Sequence, residues 1–150
     1  MNLKEKINED LKSAMKSGDK LKLATVRSIR ALILEFEKSG SGKELTPEEE
    51  IKLLSSAAKK RKDSIEQFRS GGRNDLADKE EAELNILMSY LPKQLNKEEI
   101  DSEVKRIAVV INAKTKEDFP RLMPEVMKQL KGKADGKLVK QSVENYLSNT

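Results

Sequence analysis

Glu80 and Glu83 stand three residues apart, the spacing that puts two carboxylates on one face of a helix, where they could work as acid and base or hold a metal. Ser70-Gly71-Gly72-Arg73 has the glycine content of a phosphate loop. No strand-like segment precedes it and no Gly-Lys-Ser/Thr follows, so a turn between helices is the better reading. The third group is basic: Lys128, Lys131, Lys133, Lys137 and Lys140 surround Gly132 with only Asp135 among them. A turn that runs into a helix N-terminus offers backbone N–H groups and the positive end of the helix dipole, and lysines around it suit phosphate. Arg121 is a sixth candidate for such contacts. The competing reading of the lysines is a solvated face that keeps two small helices in solution.

The chain has no His, no Cys and no Trp. Disulfides, thiolate zinc sites, Ser-His-Asp triads, Cys-His nucleophiles and imidazole acid–base catalysis therefore have no residues to work with. Glu80 and Glu83 also lack a second carboxylate helix or a histidine clearly placed to complete a metal site, so no metal and no cofactor are expected. The total charge of +4 is too small to dictate a partner, but charge is unevenly placed. Lys52, Lys59, Lys60, Arg61, Lys62, Arg69 and Arg73 face only Asp63 and Glu66 in their window. The next window reverses sign, with Asp75, Asp78, Glu80, Glu81 and Glu83 against Lys79. The two are expected to meet across antiparallel helices, with Glu80 and Glu83 as ion-pair partners of the basic one. The five aromatics, Phe36, Phe68, Tyr90, Phe119 and Tyr146, fall mostly on buried stripes, so RNA binding would act through shape and backbone rather than base stacking.

The elements that must carry these groups are helical throughout. Charged residues make up 37% of the chain and hydrophobic ones 36%, a balance suited to slender solvated helices, and no stretch alternates as a half-buried strand would. The first helix carries Leu3, Ile7, Leu11, Ala14 and Met15 and stops at Gly18; Asp19 caps the second, the most apolar, which carries Leu23, Val26, Ile29, Leu32, Ile33 and Phe36 to the Ser39-Gly40-Ser41-Gly42 break. Thr46-Pro47-Glu48-Glu49 is a capping box with proline at the first helical position. It starts a third helix that ends at Gly71-Gly72, and a fourth carries Leu76, Leu84, Leu87, Met88 and Leu91 to Pro92. An N-terminal four-helix part over residues 1–92 and a C-terminal three-helix bundle over 96–150 follow, joined by a Pro92–Asn96 linker. In the second part Asn96 caps a helix with Ile100, Val104, Ile107 and Ile111. Thr115–Asp118 opens a helix distorted by Pro120 and Pro124, and Asp135 caps the last, with Leu138, Val139, Val143, Tyr146 and Leu147 as its buried face. No signal peptide and no run of about 18 apolar residues is present, which leads to the expectation of a soluble cytoplasmic chain without membrane partners.

Arg73-x-Asp75-Leu76, Glu80-x-x-Glu83, Tyr90-Leu91-Pro92-x-Gln94-Leu95 and Gly132-Lys133-Ala134-Asp135-Gly136 resemble, in order and spacing, the motif series of the GatB/YqeY family. The resemblance runs over essentially the whole chain, and Lys60-Arg61-Lys62-Asp63-Ser64 is similar to the free-standing YqeY-like members. It implies an all-α protein of four plus three helices. It also implies kinship with the tail of the tRNA-dependent amidotransferase B subunit, which engages the body of the tRNA while a separate cradle and an amidase subunit do the chemistry. The implied role is a non-catalytic module that docks tRNA, or a protein partner in aminoacyl-tRNA processing. A carbon–nitrogen ligase label with glutamine as amido donor would travel with the family name only. The alternative is a protein-interaction adaptor that binds no nucleic acid. One departure stands out: where the family pattern carries two glycines, this sequence has Pro120 and Pro124.

Overall fold

The computed structural model describes residues 1–39 and 44–148, and all regular secondary structure among them is helical. The chain divides into two compact units, Met1–Leu91 and Pro92–Thr150, each with its own apolar core.

In the first unit, α1 (Leu3–Ser17) begins where the Asn2 side chain accepts the Glu5 N–H, and ends at Gly18, whose φ of 73° is the left-handed geometry that costs an L side chain most. Asp19 caps α2 (Lys20–Lys38) by accepting the Lys22 N–H. The expected break at Gly40–Gly42 lies outside the described residues. α3 (Pro47–Ser70) starts on the capping box: the Glu49 N–H donates to the Thr46 hydroxyl at 3.1 Å, and the Thr46 N–H donates to the Glu49 carboxylate at 3.0 Å. α4 (Asn74–Met88) stops three residues short of the expected Leu91, because Ser89, Tyr90 and Leu91 turn back with successive hydrogen bonds to Ile86, Leu87 and Met88. α1 packs on α2, while α2 and α3 both pack on α4, so the core gathers Ile7, Val26, Ile29, Ile33, Leu54 and Leu87.

In the second unit, α5 (Lys97–Ile111) opens on an Asn96/Glu99 capping box and ends on Asn112 in the left-handed conformation. A 3₁₀ turn (Lys116–Asp118) leads into α6 (Phe119–Gln129), the irregular start that the prolines predict. Pro120 sits in the first turn, where no helical donor is needed; Pro124 is interior and removes one. α7 is Gly136–Ser148. Ile100, Val104, Ile107, Leu122, Val126, Val139 and Val143 form the core. Three residues expected inside remain outside: Met15, Met127 and Leu138 are exposed, since each lies at the margin of its helix stripe. Leu11, Leu23, Leu32, Phe36 and Leu76 are half-buried.

Replacing Gly18 by Ala forces a side chain into left-handed geometry. Equilibrium urea unfolding should show a loss of about 1–2 kcal/mol, although the space around Gly18 is open.

Candidate nucleic-acid interface

α6 gives way to the basic turn through two backbone bonds: the Leu130 N–H donates to the Val126 carbonyl, and the Lys133 N–H to the Leu130 carbonyl, both at 2.9 Å. Gly132 between them is buried and takes φ of 78°. Asp135 then starts α7, its carbonyl accepting the Val139 N–H at 3.0 Å and its carboxylate the Lys137 N–H at 2.8 Å. A segment almost forty residues earlier closes over this turn. The Gln94 side-chain amide donates to the Gly132 carbonyl at 2.7 Å and to the Pro92 carbonyl at 2.9 Å, while the Leu95 N–H donates to the Lys133 carbonyl at 2.8 Å. Two successive carbonyls of an exposed, lysine-rich loop are thereby fixed from the interior side. The residues expected to form a linker, Pro92 to Asn96, thus include two that are bonded into the second unit.

Lys128 lies in the last turn of α6, Lys131 and Lys133 flank Gly132, and Lys137 and Lys140 lie three apart near the start of α7. All five side chains are exposed. Lys140 stands 3.9 Å from Glu144, an exposed i,i+4 pair that leaves its charge accessible. Asp135 already supplies negative charge to the α7 N-terminus, so the ammonium groups, rather than the helix end, are the principal anion-attracting feature.

Arg121 does not join them. It lies two helical turns before Lys128, about 10 Å along the axis. There its guanidinium donates to the Ile111 and Asn112 carbonyls at 3.2 and 3.3 Å, satisfying the C-terminus of α5, and to Asp118 at 3.0 Å. Asp118 in turn accepts the Lys114 and Thr115 N–H groups at 2.7 and 3.0 Å. Those two backbone bonds, then Arg121, hold its carboxyl well below the usual carboxylate range.

The other candidate groups fold into structural roles. Arg61 donates to Glu80 at 3.1 Å and to Glu83 at 2.5 Å, so the paired acids form an ion pair with α3, as their position opposite the basic window predicts. Arg69 pairs with Asp78 and Glu81 in the same way. Around the Gly71-Gly72 turn, the amides of Gly71, Gly72 and Arg73 donate to the Gln67, Arg69 and Phe68 carbonyls, which leaves no row of free donors for a phosphate. Among the described residues no three His, Cys, Asp or Glu side chains gather to hold a metal ion, and no helix is long and apolar enough to cross a membrane.

Comparison with known proteins places these features in a family. The pattern described as YqeY-like protein matches residues 4–147. A protein of Pyrenophora tritici-repentis named Altered inheritance of mitochondria protein 41, mitochondrial, is 32% identical over 146 residues, covering 95% of this chain and 79% of that protein. Proteins of the same name from Lachancea thermotolerans and Saccharomyces cerevisiae are 35% identical over 103 residues and 30% over 130. The matches cover 67% of this chain and 55% of the first protein, and 85% and 68% for the second. These names overturn the cytoplasmic expectation, since similar proteins carry a mitochondrial designation. That expectation rested on the lack of a signal peptide and of long apolar runs, features that do not distinguish one aqueous compartment from another.

Gln94→Leu removes both side-chain donations. It should speed hydrogen exchange at the Leu95 amide, and lower stability in urea by about 1 kcal/mol for each bond lost. Asp118→Ala should lower the melting temperature at pH 7. Because the folded carboxyl is depressed, its contribution is present above the ordinary value of about 3.9 and is lost as pH falls toward the folded one. The difference between variant and wild type should therefore shrink in melts below that range.

Proposed function

The chain belongs to the YqeY-like family, and on that premise we propose that it is a non-catalytic helical module that docks tRNA through phosphate contacts from Lys128, Lys131, Lys133, Lys137 and Lys140. The observation that carries this reading is the exposed cluster of five lysines on a turn whose backbone is held by Gln94 and Leu95. A fixed turn presents its charges without first having to be ordered, which lowers the entropic cost of binding a rigid folded RNA. The absence of His and Cys, and the commitment of Glu80 and Glu83 to Arg61, support binding over catalysis. Arg121 is left out because its guanidinium is already engaged by the Ile111 and Asn112 carbonyls and by Asp118. A second reading, a protein-interaction adaptor, is favoured by Val109 and Val110, which are 68% and 73% exposed on α5.

Titration of total tRNA against the purified chain at several salt concentrations tests the first reading. Each phosphate neutralised should contribute about −0.7 to −0.9 to the slope of log K against log salt. The variant K131E/K133E/K137E/K140E should lose most of both affinity and slope. Unchanged affinity in that variant removes the turn from the reading, and a salt-insensitive protein complex in its place supports the adaptor.

A further inference from the structure

The surface around Gly132 is not built from one stretch of chain. Pro92 to Leu95 is bonded to it, and that segment carries an exposed charge of its own, Lys93. The backbone is held on both sides of this lysine. Before it, the Pro92 carbonyl accepts the Gln94 side-chain amide at 2.9 Å, which fixes the peptide unit joining Pro92 to Lys93. After it, the Leu95 N–H donates to the Lys133 carbonyl at 2.8 Å, and the Leu95 side chain packs against the core of the second unit. Two peptide steps separate Lys93 from that N–H. With about 3.8 Å between successive Cα atoms, the Lys93 Cα therefore lies no more than about 9 Å from the Lys133 carbonyl.

Lys93 has no hydrogen-bond or ionic partner among the described residues, so its charge contributes no contact to the fold. Glu98 and Glu99 follow in the first turn of α5, where the Glu99 carboxylate accepts the Asn96 N–H at 3.1 Å. Along the chain these two acids cancel Lys93 and Lys97, and the stretch carries no net charge. The bonds of Gln94 and Leu95 are what set Lys93 beside a cluster of like charge. An unpaired cation added to such a cluster is repelled by it, and a polyanion relieves that repulsion.

Resting on the tRNA reading of the basic turn, we propose that Lys93 is a further phosphate-binding residue, and that the site is made by two chain segments. Lys93 on one side and Lys131 and Lys133 on the other take neighbouring phosphates of a single RNA strand. Gln94 and Leu95 are positioning residues: they set the separation of the two sides without touching RNA. Cations held at a fixed separation register the backbone of a strand rather than its bases, which suits a chain whose five aromatics are all at least partly buried.

The chain has no Cys, so single cysteines give clean attachment points. The full chain carrying Lys93→Cys, Lys133→Cys or Lys105→Cys, each labelled with an aryl azide, is photolysed with total tRNA and the crosslinked nucleotides are mapped. Labels at positions 93 and 133 should reach neighbouring nucleotides, and the label at 105, further along α5, should reach none. In salt titrations Lys93→Gln should reduce the magnitude of the slope of log K against log salt by about 0.7–0.9, and affinity about fivefold near 0.1 M salt, while Lys105→Gln changes neither. Thermal melts of both variants should match the parent. Unaltered slope and affinity in Lys93→Gln, while K131E/K133E/K137E/K140E still loses binding, overturns the role of Lys93 and leaves the basic turn standing. A parent chain that binds no tRNA at low salt removes both. Equal losses in Lys93→Gln and Lys105→Gln, a lowered melt of Lys93→Gln, or crosslinks from 93 and 133 to distant nucleotides likewise overturn the two-segment site.

Discussion

The candidate binding surface depends on the closure of one segment over another: the Gln94 side chain on the Gly132 carbonyl and the Leu95 amide on the Lys133 carbonyl. A turn with exposed lysines on both sides of a glycine has little to order it from within. Its lysines repel one another, and with Gly132 in left-handed geometry the Gly132 and Lys133 carbonyls take their partners from outside the turn. The Pro92–Leu95 segment supplies those partners, and Gln94 is suited to the task because its amide has two donors, one for Pro92 and one for Gly132. Asp135 adds a local cap and the one negative charge within the cluster. A few partly buried hydrogen bonds, with Leu130 and Ala134 packed into the core of the second unit, hold this surface in one shape.

Electrostatics act differently in the first unit. The contacts of Arg69 and Arg73 with α4 residues are exposed, and pairs of that kind contribute little to stability. Arg61 is the exception, with only 16% of its side chain accessible and partners on two other helices. Removing it would leave Glu80 and Glu83 close together and half-buried, so its role is to fix which helices meet and at what separation. Tyr90 acts similarly at the end of the unit: its hydroxyl donates to Asp10 on α1, and Lys6 lies 5.3 Å from the ring centroid. Burial, then the bond to Asp10, pushes the Tyr90 hydroxyl far above the usual tyrosine range, so it remains a donor at any physiological pH.

Local signals were the legible ones. Asn96, Thr46, Asp19 and Gly18 read as helix boundaries because each acts within four residues, and the structure shows their caps in place. The opposition of the basic and acidic windows was visible as charge, and Arg61 with Glu80 and Glu83 realises it. What could not be read is non-local. Gln94 reads as part of a linker because its partner Gly132 lies 38 residues away, beyond the reach of any local signal. Arg121 looked like a phosphate ligand because charge alone does not reveal that its donors meet the carbonyls ending α5. Met127 and Leu138 fit an apolar stripe in one dimension but fall at its exposed edge once three helices pack.

The most direct measurement of the central claim is an amide and side-chain NMR titration of the ¹⁵N-labelled chain with tRNA. Shifts should concentrate in Lys128 to Lys140 and in the Gln94 side-chain amide, with the α5 end around Asn112 and Arg121 little affected. Shifts confined to the first unit, or an unperturbed basic turn at saturating RNA, would contradict it.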